Sequence, residues 1–231
     1  MPKPLNKTKA VKNIGSLDAV QKPIQEQLGQ ALMDAVSEFA RRDIGTSDEI
    51  TKKYFHHISD NQLQKDLTET LYGARWLYKL GLAVLAAKQE KAAHIRAQVI
   101  DYAAICEAVL ADVIFQGSLK GKLAGDQYKY ASTNSTSASP KLIDWTVTDE
   151  KKIKRNVYAT SFEWRIKVAE QSSIIDSQLA EAITTMRKNR NSVHLTNKIG
   201  KNTKYILKMA IDANSTINEL AKQTQKYVAK L

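Results

Sequence analysis

The chain has 231 residues, 43% hydrophobic and 26% charged, which is long enough to bury a core and ordinary for a soluble globular protein. Its 35 Lys and Arg against 24 Asp and Glu leave a net charge of +11, which favours a polyanionic partner, nucleic acid before membrane. The single cysteine, Cys106, excludes an intramolecular disulfide or a cysteine-rich zinc site and suits a reducing compartment.

The start of the chain is basic and lacks an apolar h-region, so no secretory signal is expected. Residues 1–15 read as an arm. Ser16 is placed to cap a helix reaching Arg42, with Leu17, Val20, Ile24, Leu28, Leu32, Val36 and Phe39 at steps of three and four and Gly45 as the stop. Thr46 to Asp60 is a connector or short helix whose adjacent His56 and His57 point to different faces, a solvated pair rather than a metal pair. A helix then begins at Asp60 or Asn61 and carries Leu63, Leu67, Leu71, Ala74, Leu77, Val84 and Leu85, with Trp76 and Tyr78 as packing residues. The most apolar run, Leu80 to Ala87, is too short to span a bilayer, so a cytoplasmic protein that does not enter membranes is expected.

Lys88 to Lys91 reads as a charged break. Next comes the strongest helix, Ala92 to Phe115, striped by Ile95, Val99, Tyr102, Cys106, Val109, Leu110 and Val113. Cys106 fits a buried structural thiol, and His94 a surface or capping position. Carboxylates at Asp101, Glu107 and Asp112 ordinarily mark a solvated face. Residues 117–156 break the periodicity with Gly117, Gly121 and Gly125, a Ser/Thr-rich tract, a short strand or irregular piece at Leu142 to Val147, and a basic run from Lys151 to Arg155. The Gly-x4-Gly-Lys-[Ser/Thr] order is missing, which argues against a nucleotide triphosphatase. Helical periodicity resumes at Thr160, runs through Ile183 and Met186, and stops at Ile199 to Asn202 before a last helix from Thr203 to Leu231. No segment sustains strand alternation, so the expected fold class is all-α, a helical bundle.

Between the last two helices lies the densest group of reactive side chains: Met186-Arg187-Lys188-Asn189-Arg190-Asn191-Ser192-Val193-His194. On a helix, Arg187, Arg190, Asn191 and His194 share an arc of roughly 100°. Two guanidinium groups suit a phosphodiester, and a neighbouring imidazole titrates near neutrality. RNA supplies its own nucleophile, the 2′-OH, so a base and cations suffice for cleavage. The same residue types also serve as carbonyl caps and turns at a helix end.

Three features together resemble the HEPN superfamily, helical domains of prokaryotic defence systems, toxins and some RNA-processing proteins. Tyr102-Ala-Ala-Ile-Cys-Glu107-Ala-Val-Leu110 looks like the family's early helix with an embedded acidic residue, and residues 117–156 look like its variable insertion. The segment from Met186 to His194 looks like its Arg-x4-6-His motif, often with Asn directly after the Arg. Arg187 has the spacing to His194 and Arg190 has the following Asn191, so both arginines are candidates for the motif position. The resemblance covers residues 60–231, with 1–59 as an N-terminal arm and helical extension. It implies a metal-independent endoribonuclease, needing no cofactor, whose motif acts across a homodimer interface. His194 would be general base or acid, Arg187 and Arg190 would contact phosphate, and Asn191 would support them. Glu107 and Asp176 would be second-tier polar residues, although Asp176 lies about 16 Å from Arg187 along a continuous helix. Implied partners are RNA, including tRNA, a second copy of the chain, and an antitoxin or defence-complex subunit. Two rival readings are a non-catalytic nucleic-acid-binding module and an interaction partner within a complex.

Overall fold

The computed structural model describes Pro23, Glu26 and residues 29–123, 149–192 and 204–231; among these there are eight α-helices, one π-helical turn and no strand. In chain order they are α1 (Gln30–Arg41), α2 (Ser47–Ile50), the π turn (Thr51–Phe55), α3 (Asn61–Ala83), α4 (Lys88–Leu119), α5 (Glu150–Tyr158), α6 (Phe162–Gln171), α7 (Ser177–Asn191) and α8 (Leu207–Val228). The all-α class is as expected. Of the predicted helix from Ser16, the described part is essentially α1; most of the stretch before Gln30, and the short strand or irregular piece expected at Leu142 to Val147, lie outside the described residues.

Helix starts follow local chemistry. Asp60 caps α3 by accepting from the Gln62 and Leu63 amides, Ser161 caps α6 at Trp164, and Asp149 caps α5 at Lys151 and Lys152. Thr46 and Glu49 form a reciprocal capping box at α2.

The molecule is built around α4, at 32 residues about 48 Å long, against which α3, α5, α6, α7 and α8 all pack. Its expected stripe is buried, and every residue from Val109 to Phe115 is buried as well. A helix covered on all sides has no polar face to display. Ile44, Ile50, Tyr54, Phe55 and Ile58 join the same core as the later helices.

Several expectations are corrected. Helix α3 ends at Ala83, and Leu85, expected on its apolar stripe, is 85% exposed in a turn at φ 51°. Helix α4 begins at Lys88, so the charged break is its first turn, and it continues through Gly117. A Cβ at Gly117 would stand 2.8 Å from the Tyr227 hydroxyl, so glycine there permits α8 to lie close. The basic run at Lys151 to Arg155 is helical, in α5, with Ile153 and Val157 turned to the core.

The helix expected from Thr160 to Met186 is two helices. Helix α6 ends at Gln171, Ser173 at φ 57° turns the chain, and the buried Ile174 and Ile175 lie between α6 and α7. His57 is buried, not solvated: its Nε2 lies 2.9 Å from the Thr224 hydroxyl of α8, while His56 is exposed. Asp112 is 0% exposed; its carboxylate accepts from the Ser59 amide, the Ser59 hydroxyl and Gln116 Nε2 at 3.0, 2.6 and 2.6 Å. His94 packs on Gly81 at the α3–α4 crossing with its Nδ1 buried, rather than capping a helix.

Candidate functional site

Helix α7 carries Arg187 and Arg190 on its last two turns, on the flank facing α4 and α6. Arg190 Nη1 reaches Glu107 Oε2 of α4 at 2.5 Å, so the embedded acidic residue and one motif arginine meet although 83 positions apart. Arg187 Nη2 lies 3.2 Å from Glu163 Oε2 on α6, while its Nε is buried without a hydrogen-bond partner. Asn191, the last residue of α7, is exposed and engaged in an interaction of its own. His194 lies outside the described residues, two positions beyond the last described one, Ser192.

The end of α7 is tied down. Ser192 Oγ donates to the Asn189 carbonyl at 2.7 Å and lies 3.0 Å from the Tyr205 hydroxyl, which also reaches that carbonyl at 3.1 Å. The chain thus leaves α7 and returns toward α8 at one hydrogen-bonded point.

Asp176 stands at the opposite end of α7. It is the N-cap, accepting from the Leu179 amide at 2.8 Å and from Gln223 Nε2 of α8 at 2.8 Å. The structure therefore joins Glu107 to Arg190, pairs Arg187 with Glu163 instead, and keeps Asp176 apart from both arginines.

The pattern reading passed over one side chain that organises this flank. Arg165 of α6 is 6% exposed, and its fork donates to the carbonyls of Glu107, Tyr158 and Thr160 and to the Thr160 hydroxyl at 2.9–3.1 Å. Its Nη1 also stands 3.8 Å from Glu107 Oε1, so Glu107 is shared by two guanidinium groups. The sequence signal was there: Arg165 occupies the apolar face defined by Phe162, Ile166 and Ala169, where a cation must find partners.

Arg165 and Arg190 share Glu107, and Lys167 and Arg187 share Glu163, four cations on two carboxylates. Such a surplus beside a helix end can receive a phosphate, by exchange of the carboxylate partner or at the remaining donors. Cys106, one residue before Glu107, is buried, and burial pushes its thiol well above the ordinary range, so it is inert. Among the described residues no group of three His, Cys, Asp or Glu side chains is placed to hold a metal ion, and no helix is long and apolar enough to cross a membrane. On the other flank of α7 a cavity of about 560 Å³ is lined by Val99, Met186, Asn189, Ile206 and Met209, without either arginine.

No protein-family model, curated protein or solved structure matches this chain. The resemblance to the HEPN superfamily rests on its residues alone.

Proposed function

We propose that the chain is a HEPN-like RNA-binding protein that cleaves RNA without a metal ion, acting as a homodimer. The observation that carries this reading is the cationic flank at the end of α7, where Arg187 and Arg190 share two carboxylates with Lys167 and Arg165 directly before the segment bearing His194. In the proposed reaction His194 takes the 2′-OH proton, the 2′-oxygen attacks phosphorus, and the bond from phosphorus to the 5′-oxygen breaks as that oxygen receives a proton returned by the imidazolium. The products are a 2′,3′-cyclic phosphate and a 5′-hydroxyl. Arg187 and Arg190 hold the phosphate and offset charge developing on its oxygens, and Glu107 holds Arg190 in place until RNA arrives. A role in antiphage defence or a toxin system, with an antitoxin or defence-complex partner, follows from the family resemblance.

The test is cleavage of structured RNA and tRNA in excess EDTA by wild type and by His194→Ala, with equal folding and dimerisation checked for both. Cleavage by wild type that vanishes in the variant supports the proposal. Equal cleavage by both removes His194 from the reaction.

A second reading draws on the ion pairs themselves: both arginines are already held by carboxylates, and α5 presents Lys151, Lys152 and Arg155 exposed on one side. It makes the chain a binding module in which His194 is dispensable. RNA bound by both proteins and cut by neither favours this reading.

A further inference from the structure

A second cavity, of about 770 Å³, opens between the α1–α2 connection, the π turn, α3, α4 and α8. Cavities of this size hold a drug-sized molecule. Its inner wall is made by the buried Ile50, Tyr54, Gln98 and Tyr102, and its rim by the exposed Asp43 and Lys53.

Gln98 is 2% exposed and stands on the apolar stripe of α4 between Ile95 and Val99. Its Nε2 donates to the His94 carbonyl at 3.0 Å, while its Oε1 is buried with no partner. Flipping the amide would press oxygen against the His94 carbonyl, so the atom left unpaired is an acceptor. Gln98 lines this cavity and a neighbouring one of about 250 Å³ beside Gly81 and His94. An acceptor left unpaired just beneath their walls can be satisfied by a ligand that brings an N–H or O–H.

The same cavity collects cations. Arg75 donates to the Tyr54 hydroxyl at 2.7 Å and to the Ile44 carbonyl at 3.4 Å, and lies 4.8 Å from the Tyr54 ring centroid. These bonds use two of the five N–H donors of a guanidinium. Lys53 lies 5.2 Å from that ring centroid, and Lys79 is paired with Asp43 at 3.5 Å. Of the two carboxylates in the lining, Glu49 is committed to the Thr46 cap and held below its ordinary range by those hydrogen bonds, and Asp43 is exposed and displaceable. Three tyrosines, Tyr54, Tyr78 and Tyr102, supply flat apolar surface.

We infer that this cavity binds a nucleoside monophosphate, with an N–H of the base donating to Gln98 Oε1 among the tyrosine rings and the phosphate met by Arg75, Lys79 and Lys53. A donor at the buried end, a flat body and an anion at the cationic side are the three demands of the lining, and an amino-bearing nucleotide meets all of them. The site is separate from the α7 flank, because Gln98 and Glu107 are nine residues apart, about 13 Å along α4.

The experiment is calorimetric titration of the full chain with AMP, CMP, GMP and UMP, and with inorganic phosphate and the parent nucleosides. At least one nucleotide is expected to bind about tenfold or more tightly than its nucleoside and than phosphate. Gln98→Leu, close in size and without the unpaired acceptor, is expected to weaken that nucleotide about tenfold while raising the melting temperature of the unliganded protein. Lys79→Gln, at a more open position, is expected to weaken the nucleotide but not the nucleoside. The inference is overturned by no saturable binding of any nucleotide at about 1 mM. It is equally overturned by phosphate binding as well as the nucleotides do, or by affinity unchanged in both variants.

Discussion

Glu107 holds two guanidinium groups that differ in what they need from it. Arg190 approaches through a 2.5 Å contact and keeps part of its surface in water, whereas Arg165 is 6% exposed and depends on fixed carbonyls. Removing Arg165 leaves the carbonyls of Glu107, Tyr158 and Thr160 without that donor. Arg165→Ala is therefore expected to lose about 3 kcal/mol in urea denaturation. Arg165→Lys should recover little of this, since one ammonium cannot span the fork's partners. His57 gives a pH signature. Burial, and secondarily the neighbouring His56, lowers its pKa from 6.5 to about 4. The unfolded chain then binds the proton more readily, so the stabilisation is complete above about pH 6.5 and is lost as the pH falls through 4. At its largest this is about 3 kcal/mol. Denaturation at pH 7.5, 5.5 and 4.5 should show the loss in wild type and a flatter profile in His57→Gln; parallel profiles would remove His57 as the cause.

At the scale of elements, two glycines on neighbouring helices make opposite predictions. Gly73 lies within α3, and a Cβ there meets nothing within 4 Å, so Gly73→Ala should gain roughly 0.5–1 kcal/mol from helix propensity. Gly117 lies within α4 against the Tyr227 hydroxyl, and Gly117→Ala should lose stability despite the same propensity gain. Thermal melts of the two variants moving in opposite directions would confirm the contrast; a shared direction would refute it. These elements also divide what periodicity can reveal from what it cannot. The α4 stripe and the start of α3 at Asp60 or Asn61 were legible because both depend on residues within a few positions. The separation of α6 from α7 was not. The sequence keeps apolar steps across Ser172 and Ser173, and the break shows only in the left-handed backbone at Ser173.

The whole molecule presents its charge unevenly. The +11 excess includes Lys151, Lys152 and Arg155, exposed on α5, a helix that shares α4 with α6 and α7 as packing partners. RNA binding should therefore fall steeply with salt, with log Kobs against log salt sloping by about −3 or more. Lys151→Glu together with Lys152→Glu should flatten that slope by about 1 to 2, measured by fluorescence anisotropy from 50 to 200 mM salt. Binding that ignores salt would exclude an electrostatic RNA interface.

The amino-acid sequence by itself determined the all-α class, the central apolar helix, the start of α3 and the adjacency of Arg187, Arg190 and Asn191. Each follows from periodicity, capping or adjacency along the chain. Only the tertiary structure decided that Glu107 holds Arg190, that Asp176 is a cap remote from both arginines, that Arg165 and Asp112 are buried, and that Gln98 lines a cavity while its oxygen stays buried and unpaired. The reason is that a polar side chain's role is set by the partners that packing brings to it. Those partners lie 53 positions away for Asp112 and Ser59 and 83 for Glu107 and Arg190, far beyond any local pattern.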